Sequence, residues 1–195
     1  GLRARVIEIR ELEELDSLGR AQVEGKIVFI NKPMDPGLVN TGRAYSHTSG
    51  IRYRGPEYAS RFGAVGVVVR SLTTRVDNVP HTGSTYYSEE NTPAPSIAIS
   101  TEDADHLSAV LREAPDTEVF FETHSLMLDE TLSYNVIGEI RGTDYPDEYI
   151  LVGAHLDSWD VGHGAHDDGA GCMHAIAALR LLKSLGYQPR RTIRV

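Results

Sequence analysis

The stretch from Tyr149 to Leu185 sets the tightest constraint on this chain. A β-rich run, Tyr149 to His155, leads into a loop crowded with glycine and acid, Gly162-His163-Gly164-Ala165-His166-Asp167-Asp168-Gly169. From Ala170 to Leu185 the chain is apolar with helical spacing. Cys172, Ile176, Leu179 and Leu182 share a face, Lys183 falls off it, and Gly186 supplies the stop. Strand, tight loop and helix in that order predict the opening of an α/β domain, whose strand ends and loops usually hold the site. His155 offers an imidazole there. Asp157 lies two residues on, where a period-2 strand turns it to the same side and lets it accept the free ring N–H. Asp167 places a carboxylate at the loop end, where it could bridge two cations. Asp168 reads as a helix cap or a supporting group, since two adjacent acids with no cation nearby are poorly arranged.

The run from His155 to Gly171, including Ser158-Trp159-Asp160-Val161-Gly162, resembles the co-catalytic zinc exopeptidases. More closely it is similar to the plasma glutamate carboxypeptidase (carboxypeptidase Q) branch of the zinc aminopeptidase family. Gly25 to Val28, Phe62 to Gly66, Pro80 to Gly83 and Asn135 to Gly138 fall in that family's order. The resemblance implies that His155 binds one zinc, that Asp167 bridges two zinc ions, and that Asp157 orients His155. It also implies that the catalytic Glu, an adjacent Glu ligand, and a later Asp and His lie beyond Val195. Residues 1–195 alone are therefore expected to be inactive. The implied activity is release of an amino acid from dipeptides or short peptides by a two-metal activated water. The implied state is a homodimer, periplasmic or secreted.

The chemistry suits that donor set. Two divalent ions about 3.5–4 Å apart can clamp a shared water and lower its pKa towards about 7. Imidazole and carboxylate ligands favour zinc among the common ions. A Glu base would move the proton from water to the leaving amine. Glu139 and Glu148 are poorly placed for that task.

Composition narrows the partners. The 28 acidic and 19 basic residues give a net charge of −9, which argues against nucleic acid and against an anionic membrane. No apolar run approaches the roughly 20 residues that span a bilayer. The single cysteine, Cys172, excludes an internal disulfide, and its apolar helical setting reads as core packing.

Residues 1–130 follow a different pattern. Strands are expected at Arg5–Ile9, Lys26–Ile30, Ala64–Arg70, Ser96–Ser100 and Glu118–Glu122. Short helices are expected at Glu11–Leu15, from Pro56 to Gly63, and at Glu102–Arg112. Asn31 to Gly37 is a dense turn signal, and residues 38–54 show no clear period and read as a long loop with room for one helical turn. Without a parallel β/α rhythm this predicts a compact α+β or β-rich module, which the resemblance identifies as a protease-associated domain. Residues 131–195 are then the N-terminal portion of the α/β peptidase domain. Strands are expected at Tyr134–Arg141, Tyr149–His155 and Thr192–Val195, with a turn over Gly142–Asp147.

Several residues have simpler readings. His163 and His166 occupy positions the family pattern leaves variable. Trp159 is as well explained by packing as by a substrate wall. Asp160 fixes the loop more readily than it binds zinc, and His81 reads as a solvated turn residue. Arg190, Arg191 and Arg194 read as a solvated strand entrance. Two rival functions fit the sequence less well. A single-zinc glutaminyl cyclase tends to carry Ser at the place of Asp168 and lacks the inserted module. A non-catalytic binding ectodomain on the same scaffold loses its metal ligands, whereas His155, Asp157 and Asp167 are all present here.

Overall fold

In the computed structural model, residues 1–195 are described except Thr82, Tyr87, Glu89, Glu90, Thr92, Pro93, Met127, Asp160 and Val161, and the side chain of Thr41. The chain forms two units, Gly1–Met127 and Leu128–Val195.

The first unit is built on five strands in the order β4-β3-β2-β1-β5. These are β1 (Leu2–Ile9), β2 (Ile27–Ile30), β3 (Gly66–Arg70), β4 (Ser96–Ile99) and β5 (Glu118–Phe121). Strands β1 to β4 run parallel, and only β5 is antiparallel, against β1. The expectation of no parallel β/α rhythm fails here. Parallel strands buried on both faces read as continuous apolar runs, so Ile27-Val28-Phe29-Ile30 and Val67-Val68-Val69 show no alternation to flag them. Their side chains nevertheless divide by period 2. Val28, Ile30, Val67 and Val69 join Leu15, Ile51 and Ala59 on one face. Ile27, Phe29 and Val68 join Ala104 and Leu111 on the other.

Helices α1 (Glu14–Val23), α2 (Thr41–Arg61) and α3 (Thr101–Glu113) cover these faces. Helix α1 starts later and runs longer than the expected Glu11–Leu15, because the Glu14 carboxylate takes the N–H groups of Arg10 and Glu11, both at 2.7 Å. Helix α2 replaces both the expected loop over 38–54 and the expected helix start at Pro56. It begins where the Asn40 side chain accepts from Arg43 N, and Pro56 lies inside it. Its buried stripe is Ala44, Thr48, Ile51, Gly55 and Ala59, spaced by three or four residues. Thr and Gly do not register as apolar, so the period is invisible in the sequence. Gly55 is there for space: a Cβ would stand 2.5 Å from Ile30 Cδ1. At the carboxyl ends of the strands, Arg70 bonds Asn31 at 3.2 Å and Asp105 at 2.5 Å, and Asn31 bonds Glu8 at 2.7 Å. That chain of bonds supplies partners for polar side chains held in the core.

The second unit has three strands in the order β6-β8-β7, with one helix. These are β6 (Glu139–Ile140), β7 (Tyr145–Leu151), α4 (Gly169–Ser184) and β8 (Arg191–Arg194). Strand β6 keeps only the end of the expected Tyr134–Arg141. Strand β7 begins within the expected Gly142–Asp147 turn and stops at Leu151, short of His155. A register shift between Tyr145 and Tyr149 accommodates Pro146, whose missing N–H suits an irregular edge. The buried Thr192 hydroxyl donates to Pro146 O at 2.7 Å and accepts from Gly142 N at 3.0 Å. Arg190, Arg191 and Arg194 are not merely solvated. They pair with Asp144, Glu148 and Glu139, and Arg194 lies 4.0 Å over the Tyr149 ring. Helix α4 ends as expected at Gly186, whose N–H donates to Lys183 O while Tyr187 N donates to Leu182 O. Among the described residues, no helix is long and apolar enough to cross a membrane.

Candidate metal centre

His155 lies four residues past β7, and its site is made by a turn and a loop, not by a strand. Ladder pairing continues only to Val152, whose N–H donates to Arg194 O at 2.9 Å. The period-2 placement of Asp157 therefore does not hold, yet the two residues still meet. Nδ1 of His155 lies 2.8 Å from the Asp157 backbone oxygen and 3.1 Å from Asp157 Oδ1. A ring proton on Nδ1 is thus shared between a carbonyl and a carboxylate, which leaves Nε2 for the other side. Nε2 faces Asp167 Oδ1 at 2.8 Å. His155, Asp157 and Asp167 are gathered into one cluster within the second unit.

The cluster is open to solvent: the side chains of His155 and Asp157 are 50% and 90% exposed. The Asp157 carbonyl first, and then the Asp167 carboxylate, hold the His155 pKa above its ordinary value of 6.5. Both contacts favour the imidazolium over the neutral ring.

Local sequence explains how Asp167 arrives there. Gly164 adopts φ +63, and its carbonyl accepts from Gly169 N at 2.7 Å, closing the loop before α4. Asp168 caps α4, accepting from Gly171 N at 3.1 Å. Gly171 leaves room for that cap, since a Cβ there would displace the Asp168 carboxylate. The neighbouring acids thus separate: one faces His155, and the other turns into the helix terminus.

Two contacts had no sequence signal. Asp168 Oδ2 accepts from His155 N at 3.3 Å, and Cys172 Sγ donates to His155 O at 3.3 Å. Cys172 is half-buried beside the site and not in a core. His163 and His166 are exposed, as is Trp159, and Asp160 lies outside the described residues. In the first unit, His81 donates its backbone N–H to Ser71 Oγ at 2.8 Å. Glu139 and Glu148 are committed to Arg194 and Arg191.

One imidazole nitrogen and one carboxylate oxygen, side by side and exposed, form a donor pair of the kind zinc takes. Among the described residues, no group of three or more His, Cys, Asp or Glu side chains is placed to hold one ion. An apolar cleft of about 940 Å³ reaches His155 and Asp157 and is lined by Val136, Ile137, Leu151, Ile176 and Leu179.

Residues 135–195 match the sequence profile of Peptidase family M28. The whole chain aligns with carboxypeptidase Q of Xenopus laevis at 36% identity and of Homo sapiens at 34%, spanning 40% and 39% of those proteins. All of it also superposes on 44% of a peptidase M28 precursor from Shewanella amazonensis, with 39% identity and a TM-score of 0.88. A zinc aminopeptidase from Bacillus subtilis shares the fold at 22% identity and a TM-score of 0.54. Residues 135–195, which contain the His155–Asp167 cluster, are thus similar to peptidase family M28, and the chain spans about 40% of the length of the curated relatives it matches.

Proposed function

We propose that this chain supplies part of the co-catalytic zinc centre of an exopeptidase acting on dipeptides or short peptides. The observation that carries this is the meeting of His155 Nε2 and Asp167 Oδ1 at 2.8 Å in the segment matched to the peptidase family. His155 would be the ligand to one zinc, and Asp167 would be the carboxylate shared by both. Asp157 acts through His155, taking the Nδ1 proton with its carbonyl and carboxylate and so fixing Nε2 as the coordinating atom. Bound zinc supplies Lewis-acid polarisation of the peptide carbonyl and activation of water. Neither Glu139 nor Glu148 is the base, because each is held by an arginine.

Two donors fall short of the three protein ligands typical of a catalytic zinc. The remaining ligands and the base come from outside residues 1–195, and the first unit is the protease-associated module. Carboxypeptidase Q similarity along the whole chain favours this over a single-zinc cyclase or a metal-free binding domain. A homodimer outside the cytoplasm completes the proposal, and light scattering and fractionation test it.

Elemental analysis of a chain as long as the carboxypeptidase Q relatives is expected to give two zinc ions per chain, and His155→Ala to lose one. Retention of both ions by His155→Ala would contradict the ligand role. Residues 1–195 alone are expected to hold zinc weakly and leave dipeptides intact. Zinc-dependent cleavage by them would overturn the placing of base and ligands.

A further inference from the structure

Helix α4 begins with a grip on His155 that capping alone does not explain. Beyond Val152 the sheet no longer fixes the main chain, and both peptide groups of His155 are taken by the helix terminus. Asp168 Oδ2 accepts its N–H at 3.3 Å, and the Cys172 thiol donates to its carbonyl at 3.3 Å. Asp168 and Cys172 stand four apart, joined by the bond from Cys172 N to Asp168 O at 3.0 Å, so they present one face of the first turn. The second Asp168 oxygen accepts from Gly171 N at 3.1 Å.

An N-cap needs one acceptor oxygen, which Ser or Asn supplies as well as Asp. The second oxygen is what His155 uses. Both oxygens of Asp168 thus have partners at the helix terminus, whereas the adjoining Asp167 faces the His155 ring. Among the described residues, the ring of His155 is otherwise directed by Asp157 and Asp167, which are themselves exposed.

We infer that Asp168 and Cys172 are positioning residues that clamp the His155 peptide and so aim its imidazole at Asp167. This rests on the zinc reading of His155 and Asp167 for its consequence, but the clamp is observable without metal. Asp168→Ser separates the two roles: it keeps a cap for Gly171 N and removes the oxygen that reaches His155.

The test uses a chain of the relatives' length, stripped of metal and then titrated with zinc against a chelator. For Asp168→Ser we expect an unchanged thermal melt and faster amide hydrogen exchange across residues 153–157. Cys172 should react faster with a thiol reagent, and zinc affinity should fall about 10–100-fold, as for lost supporting contacts at metal sites. Exchange and thiol reactivity equal to wild type would overturn the clamp, whatever zinc does. Faster exchange and thiol reaction in a protein whose wild type binds no zinc would uphold the clamp and remove the zinc reading. Should Asp168→Ser fail to fold, Cys172→Ala is expected to speed exchange at 153–157, and Cys172→Ser to restore it through its hydroxyl. No difference between Cys172→Ala and wild type would overturn the proposal.

Discussion

The first unit closes both faces of its sheet, while the second leaves comparable residues in the open. Ile27 to Ile30 and Val67 to Val69 are buried between α1 and α2 on one side and α3 on the other. Tyr149-Ile150-Leu151 in β7 is as apolar a run, yet Leu151 is 73% exposed, and Leu181 on α4 is 60% exposed. An apolar run therefore specifies that a strand needs cover, not that the cover lies nearby in sequence. Among its described residues, the closed unit has no group of three or more His, Cys, Asp or Glu placed to hold an ion. The candidate site sits in the unit whose own core is thin, at a helix terminus and a loop, and its geometry depends on a few hydrogen bonds.

The contrast can be broken by substitution. Phe29→Ala removes a fully buried ring and is expected to cost the first unit about 3–5 kcal/mol. Denaturant titration followed by signals from each unit checks this. A similar cost to the second unit from an exposed apolar residue would erase the difference between the two.

Next in size is Glu57. It is buried in α2, bonded twice to Arg61 at 2.9 Å, and it accepts from Ser88 and Asn91. Arg61 chiefly holds its carboxyl below the ordinary 4.5, against the opposing effect of burial. A lowered carboxyl pKa adds stability that is complete above the unfolded value and is lost as pH falls through the folded one. Glu57→Gln is thus expected to cost about 1.5–3 kcal/mol at pH 7, the range for hydrogen bonds to a charged group. The gap from wild type should narrow as pH drops below 4.5. A gap that is constant with pH would mean the carboxylate charge is irrelevant.

Such anchors show where the sequence was readable and where it was not. Strands Ile27–Ile30 and Gly66–Arg70 and helices α3 and α4 were legible because apolar spacing and caps agree with the tertiary packing. Helix α2 was hidden because its stripe uses Ala, Thr and Gly, and because Pro56 marks a helix start more often than an interior. The parallel pairing was hidden because a buried strand carries no alternation. At the site, His155, Asp157 and Asp167 stood out by type and spacing. Their route of assembly did not: β7 ends before His155, and the grip of Asp168 and Cys172 joins residues 13 and 17 positions apart.

Asp157→Asn is a smaller perturbation. The backbone oxygen at 2.8 Å still receives the Nδ1 proton when the carboxylate is lost. Zinc affinity should fall about 10-fold, the low end for supporting groups at metal sites. A fall beyond about 100-fold would give the carboxylate a direct part in binding metal. Smallest of all, Leu181→Ala in residues 1–195 should change stability by no more than about 0.5 kcal/mol, as at other exposed positions. A larger loss would show that the α4 face is covered, for instance by a second copy.

Zinc stoichiometry of Asp167→Asn, in a chain as long as the carboxypeptidase Q relatives, tests the zinc centre most directly. If Asp167 is shared between two ions, replacing its carboxylate weakens both, and the variant should retain less than one tightly held zinc per chain where the wild type holds two. A wild type with one tightly held ion, unaffected by Asp167→Asn, would contradict it.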